Sequence, residues 1–187
     1  YPGKGNDIIT NARSGQTVVS SPGEDTISGS NFDYALWDAE QAVIINLKES
    51  WSEDGFGTRD TISDVSTIHG SRFGDTFYGT TNYEKIFANG GNNIIDGGGG
   101  SDRVSYAPGR GPSTDYEITY VDDSFHIKGK DTLDIIKNVA TIEFMDDSKI
   151  IDANYFSSPI KAELSYTAYK FYDSTIAPEY TYAGVTT

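Results

Sequence analysis

Between Gly70 and Ser105, oxygen-bearing side chains recur every nine residues, at Asp75, Glu84, Asn93 and Asp102. Two positions after each stands a large apolar residue, in turn Phe77, Ile86, Ile95 and Val104. Carboxylates and amides repeated at one spacing, among glycines that expose their carbonyls, suit a hard cation taking roughly six to eight oxygens. The last unit, Gly97-Gly98-Gly99-Gly100-Ser101-Asp102-Arg103-Val104-Ser105, reads G-G-x-G-x-D-x-U-x without a departure, U being large and apolar. A net charge of −14 at pH 7 makes the compact state repel itself, and divalent cations would offset it. The competing reading is a metal-free spiral, in which asparagine and acid side chains hydrogen-bond from layer to layer.

Those side chains need a backbone that stacks them. Glycines at the start of each unit permit positive φ and close approach. The x-U-x triplet supplies a short strand with one inward side chain. Two units make one turn of a flattened spiral, so residues eighteen apart share a side, one layer apart. Asp75 then lies over Asn93, and Glu84 over Asp102. A weaker copy opens the chain, with Gly5, Asp7 and Ile9 in one unit and Gly23, Asp25 and Ile27 in another. Asp7 and Asp25 are again eighteen apart. The unit between them places Gly15, Thr17 and Val19 in the same frame. Thr17 is a weak ligand, which makes that side metal-poor.

These residues resemble the hemolysin-type calcium-binding repeats of bacterial RTX proteins. Phe32 to Ala35 followed by Ala42 to Leu47 looks like that family's strand pair between repeat blocks. Asp60 to Ser71 looks like its lead-in to a new block. Asp131-Thr132-Leu133 with Ile142 to Asp147 looks like its closing β-segment. The resemblance implies an all-β, right-handed parallel β-roll of nonapeptide repeats with a capping antiparallel segment. It also implies secretion and folding triggered by external Ca2+. Carried over by position, the metal-side residues are Asp7, Asp25, Asp75, Glu84, Asn93 and Asp102, with Gly3, Gly5, Gly23, Gly97, Gly98 and Gly100. The chain departs from the pattern where Glu84 and Asn93 replace aspartate and where Phe73 and Asn82 replace glycine.

The expected organisation is a short repeat block (1–30), a strand pair and loop continuing the spiral (31–69) and a main repeat block (70–105). A capping β segment (106–152) and a Tyr-rich arm (153–187) follow. Within 49–60, Asp54 and Asp60 could bind an ion, but the preferred reading is an exposed acidic loop. The arm holds six of the thirteen tyrosines, and tyrosine suits interfaces through its apolar body and polar tip. It packs on its own domain or adds a strand to a neighbouring subunit.

Several chemistries are excluded. There is no cysteine, hence no disulfide framework and no thiolate site. The only histidines, His69 and His126, do not form H-E-x-x-H, no serine sits in G-x-S-x-G, and Gly97 to Gly100 lacks the Lys-Ser/Thr of a phosphate loop. An acidic chain argues against nucleic acid, and no apolar run is long enough for a transmembrane helix. The abrupt, turn-rich start at Tyr1 reads as a fragment or a processed product.

The resulting expectation is a non-enzymatic, calcium-stabilised module of a secreted bacterial protein. It would serve as a self-assembling surface-layer, filament or adhesin subunit, with a homo-oligomer or filament forming through the arm. The alternative is the non-catalytic C-terminal domain of a secreted protease, lipase or polysaccharide-modifying enzyme. A stand-alone hydrolase using surface carboxylates is a distant third.

Overall fold

The computed structural model describes residues 2–106, 110–144 and 150–152. These residues form an all-β fold with no α-helix and one short 3-10 turn at Ser113–Asp115. No helix among them is long and apolar enough to cross a membrane. The strands are β1 (Ile8–Arg13), β2 (Thr17–Val19), β3 (Thr26–Ala35), β4 (Ile44–Asn46), β5 (Trp51–Glu53), β6 (Arg59–His69), β7 (Thr76–Tyr78), β8 (Lys85–Phe87), β9 (Ile94–Asp96) and β10 (Arg103–Ser105). They continue with β11 (Glu117–Val121), β12 (Ser124–Lys128), β13 (Leu133–Lys137), β14 (Thr141–Glu143) and β15 (Ile150–Asp152).

All of them belong to one curled, mixed sheet. The nonapeptide units pair in parallel, with Phe77 opposite Ile95 and Ile86 opposite Val104. Consecutive strands therefore alternate between two runs. One passes through β4, β7, β9 and β13, the other through β6, β8, β10 and β14. The long strands β3 and β6 join both runs. The first half of β3 pairs with β1 and its second half with β2, and β6 follows β3 through both halves. A register shift separates the halves of β3, as a bulge does when it bends a strand.

The sheet is not parallel throughout. β5 lies antiparallel to both β4 and β6. Strands β11, β12 and β13 form an antiparallel meander, and β14 pairs antiparallel with β15. Segments β3 and β4, expected as a strand pair, do not pair with each other; β4 takes β5 and β7 instead.

Period-two alternation builds the core. The middle residue of each short strand points inward, and Ile45, Phe77, Ile86, Ile95, Val104 and Ile142 are all fully buried. Both runs contribute to one hydrophobic cluster. Burying each such side chain contributes about 1.5–3 kcal/mol, so a stack of single inward residues can replace a broad two-layer core. In the second unit Val18 lies opposite Tyr34 and Val19 opposite Ala35, and both valines are buried. A turn in which Gln16 N–H donates to the Arg13 carbonyl (2.9 Å) sets the strand's start.

The 49–60 segment also differs from expectation. It contains β5, and Asp54 and Asp60 are completely buried. Antiparallel pairing of β5 with β6 draws the segment into the sheet. Asp54 there accepts the Phe56 and Thr58 N–H groups (2.9 and 3.0 Å) and the Thr58 hydroxyl (2.5 Å). The Tyr-rich arm lies outside the described residues.

Candidate functional site

The residue immediately before each inward-pointing strand turns its oxygen toward the neighbouring layer. Its carboxyl or amide oxygen accepts the backbone N–H of the equivalent residue one layer earlier. Asp25 Oδ1 takes Asp7 N–H at 2.9 Å, Asn93 Oδ1 takes Asp75 N–H at 2.9 Å and Asp102 Oδ1 takes Glu84 N–H at 2.8 Å, each eighteen residues apart. The eighteen-residue frame thus places these pairs one above the other. Two further acids extend the columns beyond that frame. Asp60 Oδ1 accepts Asp25 N–H at 3.0 Å, and Asp134 Oδ1 accepts Asn93 N–H at 2.8 Å.

Three short ladders result: Asp7–Asp25–Asp60, Asp75–Asn93–Asp134 and Glu84–Asp102. Reasoning from a fixed period missed Asp60 and Asp134, because loops and β5 lengthen their layers to separations of 35 and 41 residues. A local signature was available. Asp25-Thr26-Ile27, Asp60-Thr61-Ile62 and Asp75-Thr76-Phe77 share an Asp-Thr-apolar start. The closing segment is framed three residues later than expected, at Asp134-Ile135-Ile136, with Ile135 opposite Ile94.

The glycines serve the same stacking. A Cβ on Gly23 would sit 2.2 Å from the Gly5 carbonyl oxygen, and one on Gly97 would sit 2.4 Å from Asn138 O and 2.6 Å from Asp102 Oδ2. Gly98 and Gly100 adopt positive φ (84° and 94°) above the carbonyls of residues 79–82. Gly3 and Gly5 share this left-handed backbone at the opening turn (114° and 105°). At Gly97 the Asp102 carboxylate therefore rests against backbone, where a side chain would displace it.

Most ladder acids are closed by donors from the chain. Tyr34 and Tyr106, both buried, donate their hydroxyls to Asp60 Oδ2 and Asp134 Oδ2 at 2.6 Å. Asp75 accepts Val43 N–H, Ser71 N–H and the Ser71 hydroxyl (3.0, 2.7 and 2.6 Å). Asn93 turns its amide nitrogen toward Asp134 and the Gly90 carbonyl (2.8 and 3.1 Å). Asn93 thus gives its oxygen to Asp75 N–H and its nitrogen to Asp134 and Gly90, so protein partners satisfy the pair. Burial is the largest influence on Asp60 and Asp75 and pushes each up to about 6 against the opposing hydrogen bonds.

Two oxygens are different. Asp102 Oδ2 and Asp7 Oδ2 are buried and receive no N–H or hydroxyl, and the neighbour of the Asp102 carboxyl is the carboxyl of Glu84. Asp102 is wholly buried, and burial, reinforced by the Glu84 carboxyl, raises it well above the carboxylate range. A buried carboxylate oxygen left open beside a second carboxyl is the kind of donor a hard cation takes. An open cleft lined by Asn31, Asp64, Ser66, Asn82 and Tyr83 reaches Glu84 from the surface. Among the described residues no group of three or more acids, histidines or cysteines gathers at one point, so backbone carbonyls would complete any such site. His69 is placed elsewhere, stacked on Phe87 at 4.5 Å with Trp37 edge-on at 5.2 Å. His126 lies in β12 opposite Thr119 and Ile135.

No protein-family model matches the chain, and no curated protein matches it.

Proposed function

We propose that this chain is a calcium-binding, calcium-stabilised β-roll module of an exported bacterial protein, acting as a structural scaffold outside the cell. The observation that carries the reading is the pair of buried, unpartnered carboxylate oxygens at Asp102 and Asp7. Each belongs to a stacked pair of acids, Glu84/Asp102 and Asp7/Asp25, linked across adjacent layers. Parallel stacking at an eighteen-residue interval supports the β-roll as the finer description of the curled sheet. Calcium would supply positive charge between facing carboxylates that otherwise repel. Asp102 Oδ2, beside the Glu84 carboxyl, would hold it in one place, and Asp7 Oδ2, beside Asp25, in the other. The Asp75/Asn93 pair belongs to the scaffold, held by protein donors alone. Assembly into a filament or surface layer would run through residues 153–187.

The deciding experiment is thermal denaturation followed by circular dichroism, in millimolar Ca2+ and in excess chelator, on the wild-type chain and Asp102→Asn. An ion bound only by the folded form stabilises it by mass action, about 2.7 kcal/mol at a hundredfold excess over Kd. The wild-type melting temperature is expected to rise with Ca2+ and fall on chelation, and Asp102→Asn to lose the share of that increment that its own site contributes. Identical melting of the wild-type chain in the two conditions would refute the reading.

A further inference from the structure

The ladder acids differ in what stands four residues before them. Ser21 precedes Asp25, Ser71 precedes Asp75 and Thr80 precedes Glu84, and each hydroxyl donates to its acid, at 3.3, 2.6 and 2.5 Å. Ser71 and Thr80 add their backbone N–H groups, at 2.7 and 3.0 Å. The equivalent residues before Asp7 and Asp102 are Gly3 and Gly98. Neither glycine has a hydroxyl to offer, and Gly98 turns its N–H to Asp96 Oδ1 instead (3.1 Å). Asp7 and Asp102 are the ladder acids left with an unpartnered buried oxygen.

The two arrangements exclude each other through the backbone. Gly3 and Gly98 have φ of 114° and 84°, and a Cβ on Gly98 would meet Thr80 O at 2.6 Å. Ser21, Ser71 and Thr80 are not among the positive-φ residues, so each accommodates a side chain that can reach its acid. A hydroxyl-bearing turn satisfies its own carboxylate, while a glycine turn leaves an oxygen open but opens the backbone.

We propose that Ser21, Ser71 and Thr80 are built-in substitutes for a bound cation, which makes their turns ion-independent and confines the demand for an ion to Asp7 and Asp102. The confinement rests on the calcium reading above; the substitution rests only on the hydroxyl contacts.

The test compares wild type, Ser71→Ala, Thr80→Val and, as a reference, Thr26→Ala at an exposed strand position. Each is melted in excess chelator and in millimolar Ca2+, and bound Ca2+ is counted by equilibrium dialysis. Ser71→Ala and Thr80→Val are expected to melt lower than wild type in chelator, with Thr26→Ala unchanged. Their Ca2+-induced rise in melting temperature is expected to exceed that of wild type, and Ser71→Ala to bind additional Ca2+. A variant that folds only when Ca2+ is added also supports the substitution. A rise no larger than the wild-type one, with no added Ca2+ bound, overturns it. If wild type ignores Ca2+ while the variants acquire a response, the calcium reading at Asp7 and Asp102 falls and the substitution stands.

Discussion

Tyr34→Phe removes one oxygen from the interior and nothing else, so its cost reports directly on the ladder. Tyr34 is fully buried, and its hydroxyl donates to Asp60 Oδ2 at 2.6 Å and lies 3.0 Å from Ser52 Oγ. The ring remains to fill its place opposite Val18 and Ile68. A hydrogen bond to a charged group contributes about 1.5–3 kcal/mol, and one between neutral groups about 1 kcal/mol. Asp60 is raised from 3.8 to about 6, first by burial and in opposition to the Tyr34 hydrogen bond. At pH 8 the carboxylate is ionised, and deleting its donor should cost about 2 kcal/mol. At pH 5 Asp60 holds its proton, and the loss should shrink to about 1 kcal/mol. At about 2–4 °C per kcal/mol for a chain of this size, melting should fall by roughly 6 °C at pH 8 and half that at pH 5. Thermal denaturation of both proteins at the two pH values, in chelator, measures the difference. Equal losses at both pH values, or no loss at pH 8, would refute the role assigned to the hydroxyl and to the charge on Asp60.

Two other outcomes follow from the same geometry. Gly79→Ala places a Cβ 2.3 Å from the Gly97 carbonyl oxygen and 3.0 Å from Glu84 Oε2. Backbone cannot yield there without separating two layers, so a destabilisation of about 3 kcal/mol is expected by chemical denaturation, and a neutral variant would contradict the stacking of 79 under 97. Asp75 is raised from 3.8 to about 6 by burial, so the folded state holds its proton more tightly than the unfolded state does. Its contribution to stability is fully present below pH 3.8, and is lost as pH rises through about 6. Asp75→Asn should therefore make stability fall less steeply between pH 4 and 6, whereas an unchanged slope in a pH series of denaturant titrations would show that Asp75 does not titrate as described.

Local patterning and tertiary pairing contributed different things. The nine-residue recurrence of an acid or amide followed by a large apolar residue was readable because each repeat carries its own glycines and its own x-U-x strand. That local consistency sufficed to place Asp75 with Asn93, Glu84 with Asp102 and Asp7 with Asp25. A constant period fails wherever a layer is longer than two units. Asp60 therefore looked like a loop acid and Asp134 went unmarked in the capping segment, and the reversal of β5 was not visible in alternation that a parallel or an antiparallel strand would show equally. The role of Tyr34 was hidden for the same reason: its apolar ring announces a core position, and nothing local tells which acid its hydroxyl will meet 26 residues away. By itself, then, the sequence determined an all-β chain whose short strands stack at a regular interval with oxygens in register, since strand period and glycine conformation are properties of a few adjacent residues. Only the tertiary structure decided which of those oxygens are closed by hydroxyls and N–H groups and which, at Asp7 and Asp102, remain open, because donors come from neighbouring layers and from backbone whose φ depends on the turn stacked beneath it.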